Sequence, residues 1–303
     1  MSGDDIFMTL RHLQIFLCVC DEESMTAAAQ KLRVAQPSIS QAIAELERYY
    51  DVKLFERLGR RLFITAAGQK LLNYARHIIH LNKEAEEAMR EISGCGTIRI
   101  GASVTVGTYV LSNMLLEFTK KNPKVKINSY VNNTKVIEDM LLLDQIDIGL
   151  VEGQIHSQSL LSQPFMADEL VLVCASSHPF ASKSQISPEE LNDMEFLVRE
   201  EGSGTRELFE SVMAACGVTW RVAGVYNNAE TIKNAVAAGL AVAVMSRMSV
   251  QKEVAKNELA ISEIEGMNFR RQFIMVYHKN KYISPVLKSF IRLCATASGY
   301  PFS

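Results

Sequence analysis

Two short helical patterns separated by a three-residue break, near the start of the chain, limit its possible folds more than any other feature. Leu10, Leu13, Phe16, Leu17 and Cys20 recur at helical spacing and predict a first helix with one apolar face. Asp21-Glu22-Glu23-Ser24 interrupts it. Met25 to Leu32 predicts a second helix, whose Ala27-Ala28-Ala29 lets another helix cross closely. Arg33-Val34-Ala35 reads as a tight turn, and Pro37 suits the first position of a third helix, where its missing N–H is not needed. Two short helices across such a turn make a helix-turn-helix.

At about 100° per residue, the third helix turns Ile39, Ile43, Leu46 and Tyr50 to one side, the expected core face. Pro37, Ser40, Gln41, Ala44 and Arg48 fall opposite. Gln41 offers paired hydrogen bonds to adenine, Ser40 bonds to several partners, and Ala44 can touch a thymine methyl. Taken alone, this is only a polar helix face; the neighbouring segments give it meaning. Leu54-Phe55-Glu56-Arg57 and Leu62-Phe63-Ile64-Thr65 flank Leu58-Gly59-Arg60-Arg61, a pattern for a short hairpin with arginines at its tip. Such a wing suits phosphates or a minor groove.

Charge supports a polyanionic partner locally, not globally. The 303-residue chain carries a formal net charge of −2. Residues 31–76 hold nine bases (Lys31, Arg33, Arg48, Lys53, Arg57, Arg60, Arg61, Lys70, Arg76) against four acids (Glu45, Glu47, Asp51, Glu56), a local excess of +5. That excess would attract a phosphate backbone, and is equally what a solvated surface carries. With 48% hydrophobic and 22% charged residues, composition is that of a globular protein. No apolar run reaches the roughly 18–20 residues that span a bilayer, and no signal segment is visible, so a cytoplasmic protein without a membrane partner is expected. The six cysteines (18, 20, 95, 174, 216, 294) show no CxxC or metal-ligand spacing and read as reduced thiols. Cys95 and Cys216 stay open as oxidant sensors. No metal cluster, cofactor loop or catalytic triad stands out, so neither cofactor nor enzymatic activity is expected.

Thr65 is a good N-cap for a long helix to about residue 93. Within it Leu71, Ala75, Ile78, Asn82, Ala85, Met89 and Ile92 are spaced 4-3-4-3-4-3, a heptad seam that calls for a partner helix. A homodimer through this helix is expected; the alternative is a seam packed on its own domain. Gly94-Cys95-Gly96 then makes a hinge.

Head, wing, linker helix and an α/β remainder, in that order, resemble the LysR-type transcriptional regulators along essentially the whole chain. The matching residues are Leu13 and Phe16, Ser24-Met25-Thr26-Ala27-Ala28-Ala29, Leu32, Ala35-Gln36-Pro37-Ser38-Ile39-Ser40, Ile43, and Leu46-Glu47. They continue through Leu54-Phe55-Glu56-Arg57 and Thr65-Ala66-Ala67-Gly68. The resemblance implies that Thr26, Gln36, Pro37, Ser38, Ser40 and Gln41 face double-stranded promoter DNA, with Arg60 and Arg61 in the wing. The family often has basic residues after the second serine, whereas Gln41-Ala42-Ile43-Ala44 is neutral. The resemblance also implies pairing of dimers into a homotetramer.

Residues 97–300 alternate strand and helix patterns, which points to parallel βα units. Strands are expected at Thr97–Gly101, Val125–Val131, Ile146–Val151, Glu169–Ala175, Phe196–Arg199, Val222–Tyr226, Ala241–Met245 and Gln272–His278, with helices near 107–120, 135–143 and 284–297. The whole is then an α+β multidomain chain: a winged helix-turn-helix over 8–66, a linker helix and hinge over 67–96, and an effector domain over 97–303. By resemblance that last part is a two-lobed α/β fold like a periplasmic binding protein. Lobe 1 is expected over 97–161 and 267–303, and lobe 2 over 162–266, joined by two crossover strands.

Ligands of open α/β sheets bind at strand C-terminal ends, where helix N-termini point N–H groups into the crevice. Ser103 and Thr105 follow the first strand, Thr134 the second, and Gly202-Ser203-Gly204-Thr205-Arg206 a strand of the other lobe. Hydroxyls, free N–H groups and an arginine at a helix start suit an anion. Asn228 and Ser246 are further cleft candidates. The expected effector is an inorganic oxyanion or small carboxylate. The competing expectations are a redox-responsive regulator acting through a cysteine, and a ligand-binding protein without DNA function; the latter leaves the winged head unexplained.

Overall fold

Helix α1 (Leu10–Glu22) begins at a reciprocal cap: Thr9 Oγ1 accepts from the His12 amide while the Thr9 amide donates to His12 Nδ1. A computed structural model describes residues 8–58, 61–90 and 96–296. It divides into two compact units, Met1–Ser93 and Gly94–Ser303. In the first, α2 (Met25–Leu32) starts at Ser24, whose Oγ accepts from Ala27 N at 3.3 Å. Arg33 takes the left-handed conformation (φ 55°) that ends α2 and makes the turn. Helix α3 (Gln36–Tyr50) starts one residue earlier than expected, so Pro37 is its second residue, still among the positions whose N–H has no helical partner.

Leu13, Phe16, Val19, Ala28, Ile39, Ala42, Ile43, Leu46, Leu54 and Phe55 form the core of this unit. Tyr50 departs from the expected core face: it is 38% exposed and meets Tyr49 edge-on. It is the last residue of α3, just before the left-handed Asp51, where the helix ends. The wing is β1 (Phe55–Leu58) against β2 (Arg61–Ile64), with Leu58 opposite Arg61. Glu47 Oε1 accepts from the Leu54 amide at 2.9 Å and so ties the end of α3 to the wing.

Helix α4 (Ala66–Arg90) begins where Thr65 Oγ1 accepts from Gly68 N at 3.0 Å. Its seam is split in use. Leu71, Leu72 and Ala75 pack on the core of their own unit, whereas Ile78 is 38% exposed and Ala85 is exposed. The Asn82 side chain donates to Glu86 Oε1 of the same helix. The Met89 side chain, Ile92 and Cys95 lie outside the described residues.

The second unit is built on parallel strands β3 (Thr97–Ser103), β4 (Lys126–Asn132) and β5 (Ile148–Glu152). Between β3 and β4 the chain is helical without a break: α5 (Val104–Val106), a π turn over Gly107–Leu111, and α6 (Ser112–Lys121). Helix α7 (Thr134–Leu142) leads to β5. Strand β6 (Leu160–Ala175) is 16 residues long; only its second half was expected. Its first half carries Ser162-Gln163-Pro164, which breaks the apolar pattern. Pro164 has no N–H to give the ladder, and the pairing shifts there, with Pro164 opposite Ile274 and Met166 opposite Phe273.

Beyond β6 come β7 (Gln185–Ile186), β8 (Met194–Arg199), α8 (Gly204–Ala215), β9 (Trp220–Tyr226), α9 (Ala229–Ala237), β10 (Ala243–Ser246), α10 (Arg247–Ala255) and β11 (Leu259–Ile264). Strand β11 was not expected. Strand β12 (Arg270–His278) and α11 (Pro285–Thr296) complete the unit. The main sheet runs β4-β3-β5-β12-β6-β11-β7, with β10 also on β6, and β8 pairs with β9. Strand β12 lies antiparallel to both β5 and β6, so β6 and β12 are the two crossovers between lobes. In lobe 1, α6 and α11 meet through Phe118 and Phe290 over one sheet face, while α7 covers the other with Ile137 and Leu141. Two cores hold lobe 2, one around Phe196, Phe209 and Met213, the other around Ile232, Val236 and Val250.

Candidate functional site: reading head and inter-lobe cleft

Thr26, Pro37, Ser38, Gln41, Ala44 and Arg48 are all exposed on the head. Gln36 and Ser40 are half-buried: Gln36 Nε2 donates to Ser40 Oγ at 2.7 Å, and Ser40 Oγ donates to the Met25 sulfur. Ser40 is therefore engaged by its own domain. Thr26, Gln36 and Arg57 line one recess of about 810 Å³ between α2 and the wing. Gln41 Nε2 donates to Glu45 Oε1 at 2.9 Å, and Glu45 Oε2 meets His12 Nε2 at 3.0 Å. The Gln41 hydrogen bond above all, aided by His12, holds the Glu45 carboxyl below its usual range. Arg60 and the Arg61 side chain lie outside the described residues.

In the second unit, strand ends converge on one carboxylate. Glu152, the last residue of β5, is 1% exposed. Ser103 Oγ donates to Glu152 Oε2 at 2.9 Å, and Thr105 Oγ1 donates to Oε1 at 3.0 Å. Thr134 Oγ1 donates to the Glu152 carbonyl at 2.7 Å. From lobe 2, Thr205 Oγ1 reaches Glu152 Oε1 at 3.4 Å. Gly204 makes this approach possible, because a Cβ there would stand 2.1 Å from the Glu152 carbonyl oxygen. Gly202 (φ 81°) sits against Lys135 of α7 and accepts from the Lys135 amide at 3.1 Å. Ser203 caps α8, yet its buried Oγ has no hydrogen-bond partner.

The guanidinium in this cluster is Arg271, not Arg206. Arg206 folds back along α8, donating from Nε to Glu210 at 2.7 Å and from Nη1 to the Arg199 carbonyl. Arg271 is opposite Asp168 where β12 pairs with β6. Its Nε donates to Asp168 Oδ2 at 2.7 Å and its Nη1 donates to Thr205 Oγ1 at 3.0 Å. Nη2 has no hydrogen-bond partner, with a Glu152 oxygen 4.0 Å away. Ser246 joins the cluster by donating to Asp168 Oδ1 at 2.7 Å. Burial pushes the Asp168 carboxyl up, opposed by Arg271 and Ser246. The pair also lines a recess of about 570 Å³ with Glu169, Arg247 and Arg270. Asn228 stands apart: its Oδ1 caps α9 by accepting from Thr231 N at 2.8 Å.

Glu152, Asp168 and Arg271 were missed from the sequence. Glu152 carried a signal, since it ends an otherwise apolar strand, as Ser103 ends β3. Arg271 and Asp168 meet only through strand pairing across 103 residues. Among the described cysteines, burial pushes the Cys20, Cys174 and Cys294 thiols up to about 12, 11 and 12, which disfavours the reactive thiolate.

Residues 10–69 match the model of bacterial regulatory helix-turn-helix proteins of the lysR family, and residues 93–299 match the LysR substrate binding domain. The chain belongs to the LysR family. It is 33% identical over 299 residues to a probable RuBisCO transcriptional regulator of Cyanophora paradoxa, covering 96% of this chain and 92% of that one. The second unit is similar to the Synechocystis CcmR regulatory domain, solved in complex with 2-PG: 28% identity, TM-score 0.64, 68% of this chain and 98% of that one. Full-length CbnR complexed with its target DNA shares the fold, at 22% identity and TM-score 0.63 over 96% of this chain and 100% of that one. This LysR family member is thus a transcriptional regulator that joins a DNA-binding head to an effector-binding domain. No helix among the described residues is long and apolar enough to cross a membrane.

Proposed function

We propose that this regulator binds promoter DNA as a homodimer joined through α4, paired again into a tetramer, and that a small anion held between the lobes sets its DNA affinity. Base edges are read by Gln41 and its neighbours Thr26, Pro37 and Ser38, while Arg60 and Arg61 meet phosphates. The effector lies among Ser103, Thr105, Thr134, Gly202, Ser203, Gly204, Thr205, Ser246 and Arg271.

One observation carries the effector reading: hydroxyls from both lobes converge on the oxygens of one carboxylate, beside a buried guanidinium with an unpartnered N–H group. Donors so placed recognise anionic oxygens. The similar CcmR domain, solved with 2-PG, supports a small-molecule effector. An anion contacted from both lobes favours the state in which they are close, and so shifts a population. The exposed seam residues Ile78 and Ala85 support the dimer. Calorimetry of the full-length protein with phosphate, sulfate, acetate and glycolate tests the effector: at least one should bind, and Arg271→Ala should weaken it at least about tenfold. Absence of binding by every anion, or equal binding by Arg271→Ala, refutes an anionic effector at this place.

A further inference from the structure

The cleft donors address a carboxylate that the chain already owns, and the distances around it are unequal. Ser103 and Thr105, of the same lobe, reach Glu152 at 2.9 and 3.0 Å. The other two contacts are long, Thr205 of lobe 2 at 3.4 Å and Arg271 Nη2 of the crossover strand β12 at 4.0 Å. Two buried polar atoms in this cluster, Arg271 Nη2 and Ser203 Oγ, have no hydrogen-bond partner. An ionised carboxylate has roughly four acceptor sites and no proton. Ser103 and Thr105 occupy two of them and the longer Thr205 contact a third, leaving acceptor capacity for a group that enters from the side of Arg271.

Such a group has to satisfy two opposite demands. Toward Glu152 it must donate. Toward Arg271 Nη2 and Ser203 it must accept, and a negative charge there is favoured. The charged surroundings sharpen the first demand. Glu152 is faced by Arg271 of β12 and by Asp168 of β6 beyond it, while Glu207 of α8 lies nearer Gly153 and is bound to His156 at 3.2 Å. Carboxylates outnumber guanidinium here. An anion lacking a proton would set bare oxygen against bare oxygen at low local dielectric.

We propose that Glu152 restricts the effector site to oxyanions that carry their own O–H. That O–H is an acid proton, as in hydrogen phosphate, or a hydroxyl beside a carboxylate, as in glycolate. It donates to Glu152 while the charged oxygens take Arg271 Nη2 and Ser203. This rests on the reading of the cleft as an anionic effector site and adds the class of anion.

The test is calorimetry on the full-length protein near neutral pH with two matched pairs, hydrogen phosphate against sulfate and glycolate against acetate. The expected result is that at least one donor-bearing anion binds at least about tenfold tighter than its donor-free counterpart, as when a site loses the hydroxyl it is built to bind. The phosphate arm reads an acid proton and the glycolate arm a hydroxyl. In Glu152→Gln, whose amide can donate, sulfate or acetate should gain affinity and the ratio should shrink. Equal binding within both pairs by the wild type overturns the proposal, as does an unchanged ratio in Glu152→Gln. If that variant does not fold, the wild-type pairs decide alone. Binding without discrimination defeats only this inference; binding of none defeats the effector reading with it.

Discussion

Replacing Arg271 by methionine would remove the charge that neutralises Asp168 inside the second unit. The Arg271 side chain is 5% exposed and that of Asp168 0%, with Nε and Oδ2 2.7 Å apart. In the variant, among the described residues, the side-chain donor left to the carboxylate is Ser246. Taking one partner from a buried ion pair costs about 3–5 kcal/mol. For a unit of this size each kcal/mol moves the melting temperature by roughly 2–4 °C, so a drop of roughly 6–20 °C is expected. Burial already raises the Asp168 pKa, and losing Arg271 raises it further. A raised folded-state pKa contributes stability that is present below the unfolded value and lost as pH rises through the folded one. The variant's deficit should therefore be small near pH ~5 and grow toward pH ~8. Scanning calorimetry of the second unit's transition measures both quantities. Adding Asp168→Leu to Arg271→Met should restore most of the loss, because an apolar pair replaces an orphaned charge. A variant melting within about 3 °C of wild type at pH ~8, or a deficit larger at acidic pH, would refute the reasoning.

Gly204→Ala places a methyl 2.1 Å from the Glu152 carbonyl and 3.0 Å from Gly153 Cα, both backbone. Chemical denaturation should show a loss of about 1–3 kcal/mol in the second unit. Gln41→Ala should relax preference at one base position by about 1–3 kcal/mol, read by gel shift on a set of singly substituted sites. An equal loss on all sites would assign Gln41 to the DNA backbone instead. Ile78→Glu puts a charge on the exposed part of the α4 seam and should shift sedimentation toward smaller species without lowering the head's melting temperature. Raising salt should weaken DNA binding steeply, since phosphate contacts release counterions.

The head was legible because its signals are local. Ile39, Ile43 and Leu46 repeat at helical period and are buried, and the turn at Arg33 takes the conformation that the short break implied. Tyr50 shows where a wheel stops: periodicity gives a direction, not how deeply a side chain is covered there. The linker seam was half legible, because Leu71 and Ala75 satisfy the same pattern by packing on their own unit. Strand ends and helix starts are visible in sequence, which is why Ser103, Thr105, Thr205 and Ser246 could be singled out; the structure brings them together around Glu152 and Asp168. Arg206 sits beside Ser203 and Thr205 in sequence and so suggests itself, whereas Arg271 reaches Thr205 only through β-sheet register. That register, which puts Arg271 opposite Asp168, is a nonlocal fact.

Strand β6 runs from Leu160 to Ala175, pairing with β12 along its first part and with β10 and β11 along its second. The two lobes therefore share one strand, and neither can melt without removing hydrogen-bond partners from the other. Their unfolding should be a single cooperative event. The amides of β6 should be the last in this unit to exchange with solvent, on both sides of Pro164. Any relative motion of the lobes then has to be absorbed as twist in this ribbon, and its bulge at Pro164 is the place where the ladder is already interrupted.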